Sequence, residues 1–214
     1  KITRLDLKKF KKSIVKYMPH FDNNKEQDAS EILMFYFNYI FHNEFSINNL
    51  LSNFFSIEFE QEIKCKNCGL TQVRKKEPEF IFNLELDENK LENELNDLFE
   101  NYVREKFIDD YKCDKCQLIG QSVEVHRLLN SPNILIISLK RFKYSSKLHK
   151  STSQNFQKIT YNFEKLHTNV KFDINKLNLT KLIKNKSLID KYELIGFVNH
   201  IGNNIDKGHY IGIY

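Results

Sequence analysis

Long apolar runs are missing from this sequence. No run in the 214 residues approaches the roughly 18 residues that a membrane-spanning helix requires. Proline and glycine are scarce, at 3 and 6 residues, and no linker, internal repeat or low-complexity segment divides the chain. With 41% hydrophobic and 13% aromatic residues, the chain is predicted to fold as one globular unit with a sizeable core and no membrane partner.

A secretory leader is missing as well. The sequence opens with Lys1, and no charged segment followed by an apolar stretch stands at its start. We therefore interpret the sequence as a piece of a longer protein. We expect that protein to lie inside the cell, in the cytoplasm, the nucleus or both.

Arginine is rare although the net charge is +5, because lysine supplies nearly all of the positive charge. Base recognition and bidentate phosphate binding favour arginine. The lysines are scattered among asparagines and isoleucines along the chain and form no patch. We therefore predict no nucleic-acid partner. The arginines are Arg4, Arg74, Arg104, Arg127 and Arg141.

Cysteine is limited to four residues, and these form two Cys-x-x-Cys pairs. Two such turns complete a tetrahedral site that zinc fills without an open position. Two disulfides or redox dithiols are the alternative, but the pairs match each other, each lies in a short lysine-flanked turn, and no secretory signal is visible. We predict a structural Zn²⁺ site, which leaves no thiol as a nucleophile. The predicted ligands are Cys65, Cys68, Cys113 and Cys116.

The final stretch, DKGHYIGIY, places His209 between a glycine and a tyrosine at the head of an apolar strand. A histidine in this position is either one half of a catalytic pair or an ordinary strand residue. Since all four thiols are assigned to metal, a catalytic partner of His209 has to lie outside this chain.

Hydrophobic periodicity predicts one α+β unit with a zinc-ribbon insertion. Helical spacing covers residues 5–18, 27–45 and 91–103, and alternation predicts strands over 55–63 and 79–87. The second Cys pair is predicted to lie in a hairpin, and residues 133–142 form an apolar run typical of a central strand buried on both faces. Residues 143–157 are polar and predict a loop, and residues 192–200 and 208–214 predict two strands joined by a glycine-bearing turn.

Four features, in this order, resemble the ubiquitin-specific proteases, papain-like cysteine enzymes that remove ubiquitin. They are the helix EQDASEIL, the two Cys pairs, the segment SPNILIISLKRF and the box YELIGFVNHIGNNIDKGHY. The resemblance spans nearly the whole chain. It implies a papain-like fold with a helical part of the thumb over residues 1–52, zinc-ribbon fingers over 53–131 and a palm with the His box over 132–214.

The same resemblance implies roles for individual residues. His209 would be the general base that activates a cysteine thiolate for attack on the carbonyl of ubiquitin's terminal glycine. The carboxylates of Asp28 and Glu31 would hold the arginine-bearing tail of ubiquitin, although a solvated helix edge is the alternative. Gln27, His200 and Tyr210 would also bind substrate, with residues 201–207 forming a loop over the tail. Ubiquitin and ubiquitinated proteins are thus the expected partners.

Two parts of the family pattern are missing from the sequence. The cysteine box expected before the Gln-Asp helix is absent, and the sequence stops at Tyr214, before the aspartate or asparagine that orients the histidine. Either the sequence is a piece of an active enzyme, which we favour, or its parent is a catalytically inactive ubiquitin-binding scaffold. A nucleic-acid-binding zinc ribbon is a distant third. We expect these 214 residues alone to hydrolyse nothing.

Overall fold

A computed structural model describes residues 7–23, 28–43, 51–150, 157–180, 182–183, 191–204 and 207–214. Its mixture of helices and strands confirms the predicted α+β class. Within these residues, no helix is both long and apolar enough to cross a membrane. The division into thumb, fingers and palm stays a prediction.

Three helices are labelled α1 (Leu7–Val15), α2 (Ala29–Asn43) and α3 (Leu95–Val103). A single 3₁₀ turn, Pro19–Phe21, follows α1, and residues 51–55 are also helical. Buried Ile14, Met18 and Phe21 pack against the apolar face of α2. Helices α1 and α2 confirm the helical spacing predicted within residues 5–18 and 27–45.

The strands are β1 (Phe59–Cys65), β2 (Thr71–Lys75), β3 (Phe82–Glu85), β4 (Glu92–Glu94), β5 (Lys106–Ile108), β6 (Ser122–Leu128) and β7 (Ile137–Lys140). They continue with β8 (Phe142–Lys150), β9 (Gln157–Lys165), β10 (Asn169–Lys171), β11 (Leu177–Asn178), β12 (Lys191–Tyr192), β13 (Phe197–Asn204) and β14 (Lys207–Ile213).

One four-stranded sheet has the order β2-β1-β6-β5. The first Cys pair begins at the end of β1, in the turn to β2, and the second lies in the connection between β5 and β6. Strands β3 with β7 and β4 with β10 form parallel pairs. Antiparallel hairpins form from β8 with β9 and from β13 with β14. The last of these confirms the predicted terminal hairpin and positions His209.

The main core lies between α3 and the strands around it. Phe99 of α3 meets Phe82 of β3 edge to face, with ring centroids 4.9 Å apart, and Phe82 in turn meets Phe59 of β1. Burying a side chain of this size contributes about 1.5–3 kcal/mol to the free energy of folding. The cluster is therefore a main source of stability for the described residues. The buried members are Ile57, Phe59, Phe82, Leu84, Leu98, Phe99, Leu128, Leu177, Leu179, Leu182 and Ile183.

Several predicted boundaries are wrong. The strand expected from residue 55 begins at Phe59, because residues 51–55 are helical and Ile57 makes only an isolated bridge to Glu79. Residues 143–150, the first part of the predicted loop, are instead in strand β8, since backbone pairing with β9 needs no apolar side chains. The strand predicted to be buried on both faces is the short β7, and its Ile137 and Leu139 stay partly exposed.

The predicted bounds of the loop over residues 201–207 are also wrong. Strand β13 continues to Asn204 and β14 begins at Lys207, with a register shift between Ile201 and Asn204. The positive φ of Gly202, 139°, accompanies this irregularity. The tip of the hairpin, residues 205–206, lies outside the described residues.

Candidate functional site

The four predicted cysteines come together in one cluster. Their sulfur atoms all lie within 4.8 Å of one another, and none forms a disulfide. The Sγ atoms of Cys65 and Cys116 are 3.6 Å apart, as are those of Cys68 and Cys113. Four sulfurs bound tetrahedrally at about 2.3 Å from a zinc ion would lie about 3.8 Å apart. The cluster therefore has the size and donor set of a four-thiolate metal site.

The two Cys turns have the same backbone structure. In the first turn, Cys65 N–H donates to Leu70 C=O at 2.9 Å and Gly69 N–H donates to Cys65 C=O at 3.0 Å. In the second turn the same two bonds recur, from Cys113 N–H to Leu118 C=O and from Gln117 N–H to Cys113 C=O, both at 2.9 Å. A residue with positive φ closes each turn, namely Gly69 at 73° and Gln117 at 61°. This matching geometry aims both pairs of sulfurs at one point.

Backbone N–H groups in the turns favour thiolates. A hydrogen bond from the Cys68 backbone lowers the pKa of Cys65 to about 6, and one from the Leu118 backbone lowers the pKa of Cys116. The Leu70 backbone also favours the Cys68 thiolate, but burial and the neighbouring thiols outweigh it and raise the pKa of Cys68 to about 11, since four thiolates this close repel one another without a cation. A thiolate is the form that binds metal, so these bonds prepare the cluster for a cation.

His209 and His200 lie on opposite faces of the terminal hairpin. His209 pairs with Ile201, whereas His200 pairs with Tyr210, and successive side chains on a strand point to opposite faces. The face that carries His209 is apolar and open: Phe197 is 45% exposed, Ile201 52% and Ile213 48%. His209 itself is exposed.

His200 lies in a compact pocket of side chains on the other face. Its ring packs 4.9 Å from the Tyr210 ring and 5.7 Å, edge to face, from Phe142 of β8. The Lys165 ammonium, at the end of β9, is 3.1 Å from His200 Nδ1. Burial lowers the pKa of His200, and the Lys165 charge lowers it further, while Asp28 acts in the opposite direction.

Asp28 links helix α2 to this pocket. Its Oδ1 accepts hydrogen bonds from the backbone of Ser30 at 2.6 Å and of Glu31 at 3.4 Å, so it is the N-cap of α2. Burial raises the pKa of Tyr210 and the Asp28 charge raises it further, whereas a hydrogen bond from the Ala29 backbone lowers it. The start of α2 therefore meets the terminal hairpin at Tyr210.

The predicted substrate-binding residues are only partly brought together. Asp28, His200 and Tyr210 form one group, whereas Glu31 Oε1 pairs with His20 Nε2 at 3.0 Å. Gln27 lies outside the described residues. Sequence reasoning missed Lys165 altogether, since nothing in the sequence around it sets it apart from the other lysines.

Comparison with known proteins gives consistent matches. A family model described as "Ubiquitin carboxyl-terminal hydrolase" matches residues 3–214. Ubiquitin carboxyl-terminal hydrolase 9 of Saccharomyces cerevisiae is 28% identical over 211 residues, which are 90% of this chain and 26% of that protein. Hydrolase 13 of the same yeast is 27% identical over 168 residues, 77% of this chain and 20% of that protein. The matched part of the chain thus spans between a fifth and about a quarter of the length of these relatives.

A solved structure shares the fold. The chain resembles a component of the SAGA DUB module of Ubp8, Sgf11, Sus1 and Sgf73 bound to monoubiquitin, with a TM-score of 0.71 and 22% identity. The match covers 92% of this chain and 42% of the solved chain. Most of the described architecture is therefore a known arrangement.

Proposed function

Because the chain belongs to the ubiquitin carboxyl-terminal hydrolase family, we propose that it is part of a deubiquitinating cysteine protease that cleaves the bond after ubiquitin's terminal glycine. The resemblance read from the sequence motifs is confirmed by this membership, and so is the ubiquitin-specific protease fold class. Inside the cell, ubiquitin and ubiquitinated proteins are the proposed partners.

The position of His209 supports this proposal. Its imidazole is exposed on a largely apolar sheet face, next to Ile201. An element that covers this face would bring a thiol against the imidazole and exclude water from the pair. The imidazole would then take the thiol proton, the thiolate would attack the glycine carbonyl, and the imidazolium would protonate the departing lysine amine.

The nucleophile is proposed to come from residues outside this sequence. The 214 residues contain four cysteines, and all four lie in the metal-binding cluster. The chain alone should therefore show no turnover of a fluorogenic ubiquitin C-terminal conjugate, while ¹⁵N-labelled ubiquitin titrated with it should show shifted resonances. Turnover by the purified chain would contradict this assignment.

Measurements on the longer protein that contains these residues distinguish an active enzyme from an inactive scaffold. If it is an enzyme, His209→Ala should lower kcat by about 10²–10⁴-fold, the usual contribution of a general base. His167→Ala, at an exposed histidine outside the terminal hairpin, is the matched control and should retain most of the activity. Ubiquitin binding by the longer protein without turnover would favour the inactive scaffold.

We propose that the four-cysteine cluster holds Zn²⁺. The sulfur spacing, the lowered pKa of Cys65 and the closed four-thiolate set support zinc in a structural role. Zinc here would supply only a cross-link between the two turns. Elemental analysis should find one zinc per chain, and Cys113→Ser should lose it, while Lys115→Ala in the same turn should retain it. A metal-free native protein that keeps the β2-β1-β6-β5 sheet would overturn the assignment.

We propose that the group of Asp28, His200 and Tyr210 and the nearby carboxylate of Glu31 contact the basic tail of ubiquitin. Gln27, which lies outside the described residues, stays a predicted substrate contact. Two carboxylates at the start of α2 supply the charge that arginine side chains favour. Glu31→Gln should weaken ubiquitin binding, and the loss should shrink at high salt, where exposed charges are screened. A loss that is the same at low and high salt would contradict an electrostatic role.

A further inference from the structure

Lys165 makes three contacts with one strand of the terminal hairpin. Its Nζ atom lies 2.8 Å from the C=O of His200, 2.7 Å from the C=O of Gly202 and 3.1 Å from His200 Nδ1. A lysine ammonium has three N–H donors and no acceptor. All three donors are therefore used, and each acceptor belongs to β13.

This arrangement fixes the protonation of the His200 ring. Because the ammonium can only donate, Nδ1 has to be the acceptor and the ring proton has to lie on Nε2. A doubly protonated imidazole would lose this hydrogen bond and set two positive charges 3.1 Å apart. The Tyr210 and Phe142 rings enclose the imidazole from neighbouring strands, so it cannot simply turn away.

The same contacts hold the hairpin opposite His209. The carbonyls of His200 and Gly202 flank Ile201, the residue that pairs with His209 across the hairpin. The register shifts just beyond this point, so regular strand pairing alone does not continue toward the tip. Lys165 anchors this part of β13 to the end of β9.

We propose that Lys165 is a positioning residue, which keeps His200 as the neutral Nε2-protonated tautomer and holds the β13 backbone that faces His209. Its link to catalysis rests on the proposed function of His209. The tautomer and the anchoring do not depend on that function, because neither needs ubiquitin or a thiol.

The charges around His200 come from three elements. Lys165 on β9 disfavours a charged imidazole, Asp28 at the start of α2 favours it, and the neutral Tyr210 phenol lies beside it on β14. Burial and the charge of Arg141 lower the pKa of Lys165 in turn. Replacing Lys165 by methionine removes the nearest positive charge, so the pKa of His200 should rise toward its ordinary value.

Imidazole ¹⁵N NMR of the 214-residue chain tests the proposal. In the wild type at pH 7, His200 should show an unprotonated Nδ1 and a protonated Nε2. Lys165→Met should give mixed tautomers, a higher His200 pKa and at least about tenfold faster amide exchange in β13 and β14. Lys165→Arg should keep the low pKa, since the charge remains. Lys140→Met is the matched control, because Lys140 on β7 is an exposed lysine that forms an ion pair with Glu85 on β3.

Two results would overturn the proposal. One is a protonated Nδ1 in the wild type at neutral pH. The other is a His200 titration that is the same in the wild type and in Lys165→Met. If Lys165→Met does not fold, the proposal is tested by the His200 tautomer in the wild type and by the His200 pKa in Lys165→Arg. A failure of the proposed hydrolysis would appear only in the turnover assay and would leave these spectra unchanged.

Discussion

The His200 imidazole lies against the backbone of Gly208. A Cβ built on Gly208 would stand 2.0 Å from His200 Nε2 and 2.6 Å from the carbonyl oxygen of Ile201. A glycine next to His209 in the sequence suggests space cleared for that histidine, but the side chain that uses the space is His200. The glycine two residues before Tyr210 is therefore required by the packing of the opposite strand.

Gly208→Ala should destabilise the chain by about 1–3 kcal/mol, the usual range for an added methyl group in a filled space. Gly212→Ala on the same strand is the matched control, because nothing lies within 4 Å of its Cβ position. Chemical denaturation of the two variants tests the difference. Equal midpoints would mean that His200 moves aside without loss.

Asp28 should contribute as a helix cap independently of any substrate. Asp28→Ala removes the acceptor of the Ser30 and Glu31 N–H groups and should lower the free energy of unfolding by about 1 kcal/mol. Asp28→Asn keeps a side-chain oxygen and should lose much less. If both variants unfold at the same denaturant concentration as the wild type, the cap is not a stabilising feature.

The two Cys turns predict opposite effects of glycine. Gly69 has a φ of 73°, so Gly69→Ala should cost about 1 kcal/mol. Gln117 has a φ of 61° in the equivalent position, so Gln117→Gly relieves the same strain and should be neutral or stabilising by about 0.5 kcal/mol. Unfolding midpoints measured at saturating zinc test both changes. A destabilised Gln117→Gly would show that the glutamine side chain outweighs the strain.

His126 should make stability fall in acid. His126 lies in β6 beside Tyr102. Burial lowers its pKa below the ordinary 6.5, and the charges of Lys76 and Lys106 lower it further, while the charge of Glu124 acts in the opposite direction. The unfolded state therefore binds the proton more readily, so stability drops as pH falls below about 6.5 and is unaffected by this group above it.

Thermal unfolding between pH 5.5 and 7.5 tests this dependence. His126→Gln should flatten the pH profile, whereas His167→Gln, which replaces an exposed histidine, should leave its slope unchanged. A profile of the same slope in His126→Gln would assign the acid sensitivity to other groups, including His200.

The features that sequence predicted well are local ones. The spacing of Cys65 and Cys68 sets a tight turn by itself, and the apolar stripe that includes Ile32 defines α2 without reference to the rest of the fold. Alternation and a glycine-bearing turn likewise predicted the terminal hairpin.

Contacts between distant segments could not be predicted in this way. Polar composition suggested a loop where β8 lies, because a strand paired mainly through its backbone leaves little hydrophobic pattern. The role of Lys165 depends on β9 ending beside β13, which no local pattern encodes. The family resemblance assigned the Asp28 carboxylate to binding the ubiquitin tail, so its role as the N-cap of α2 was not predicted.

The order of the strands sets an order of folding during synthesis. The sheet β2-β1-β6-β5 is closed by residue 128, so both Cys turns can form while the rest of the chain is still on the ribosome. The main core has to wait, because it includes Leu177, Leu179, Leu182 and Ile183 from the last fifth of the sequence. Until those residues emerge, the core around Phe82 and Phe99 lacks part of its apolar cover, and that interval is when a chaperone would be needed.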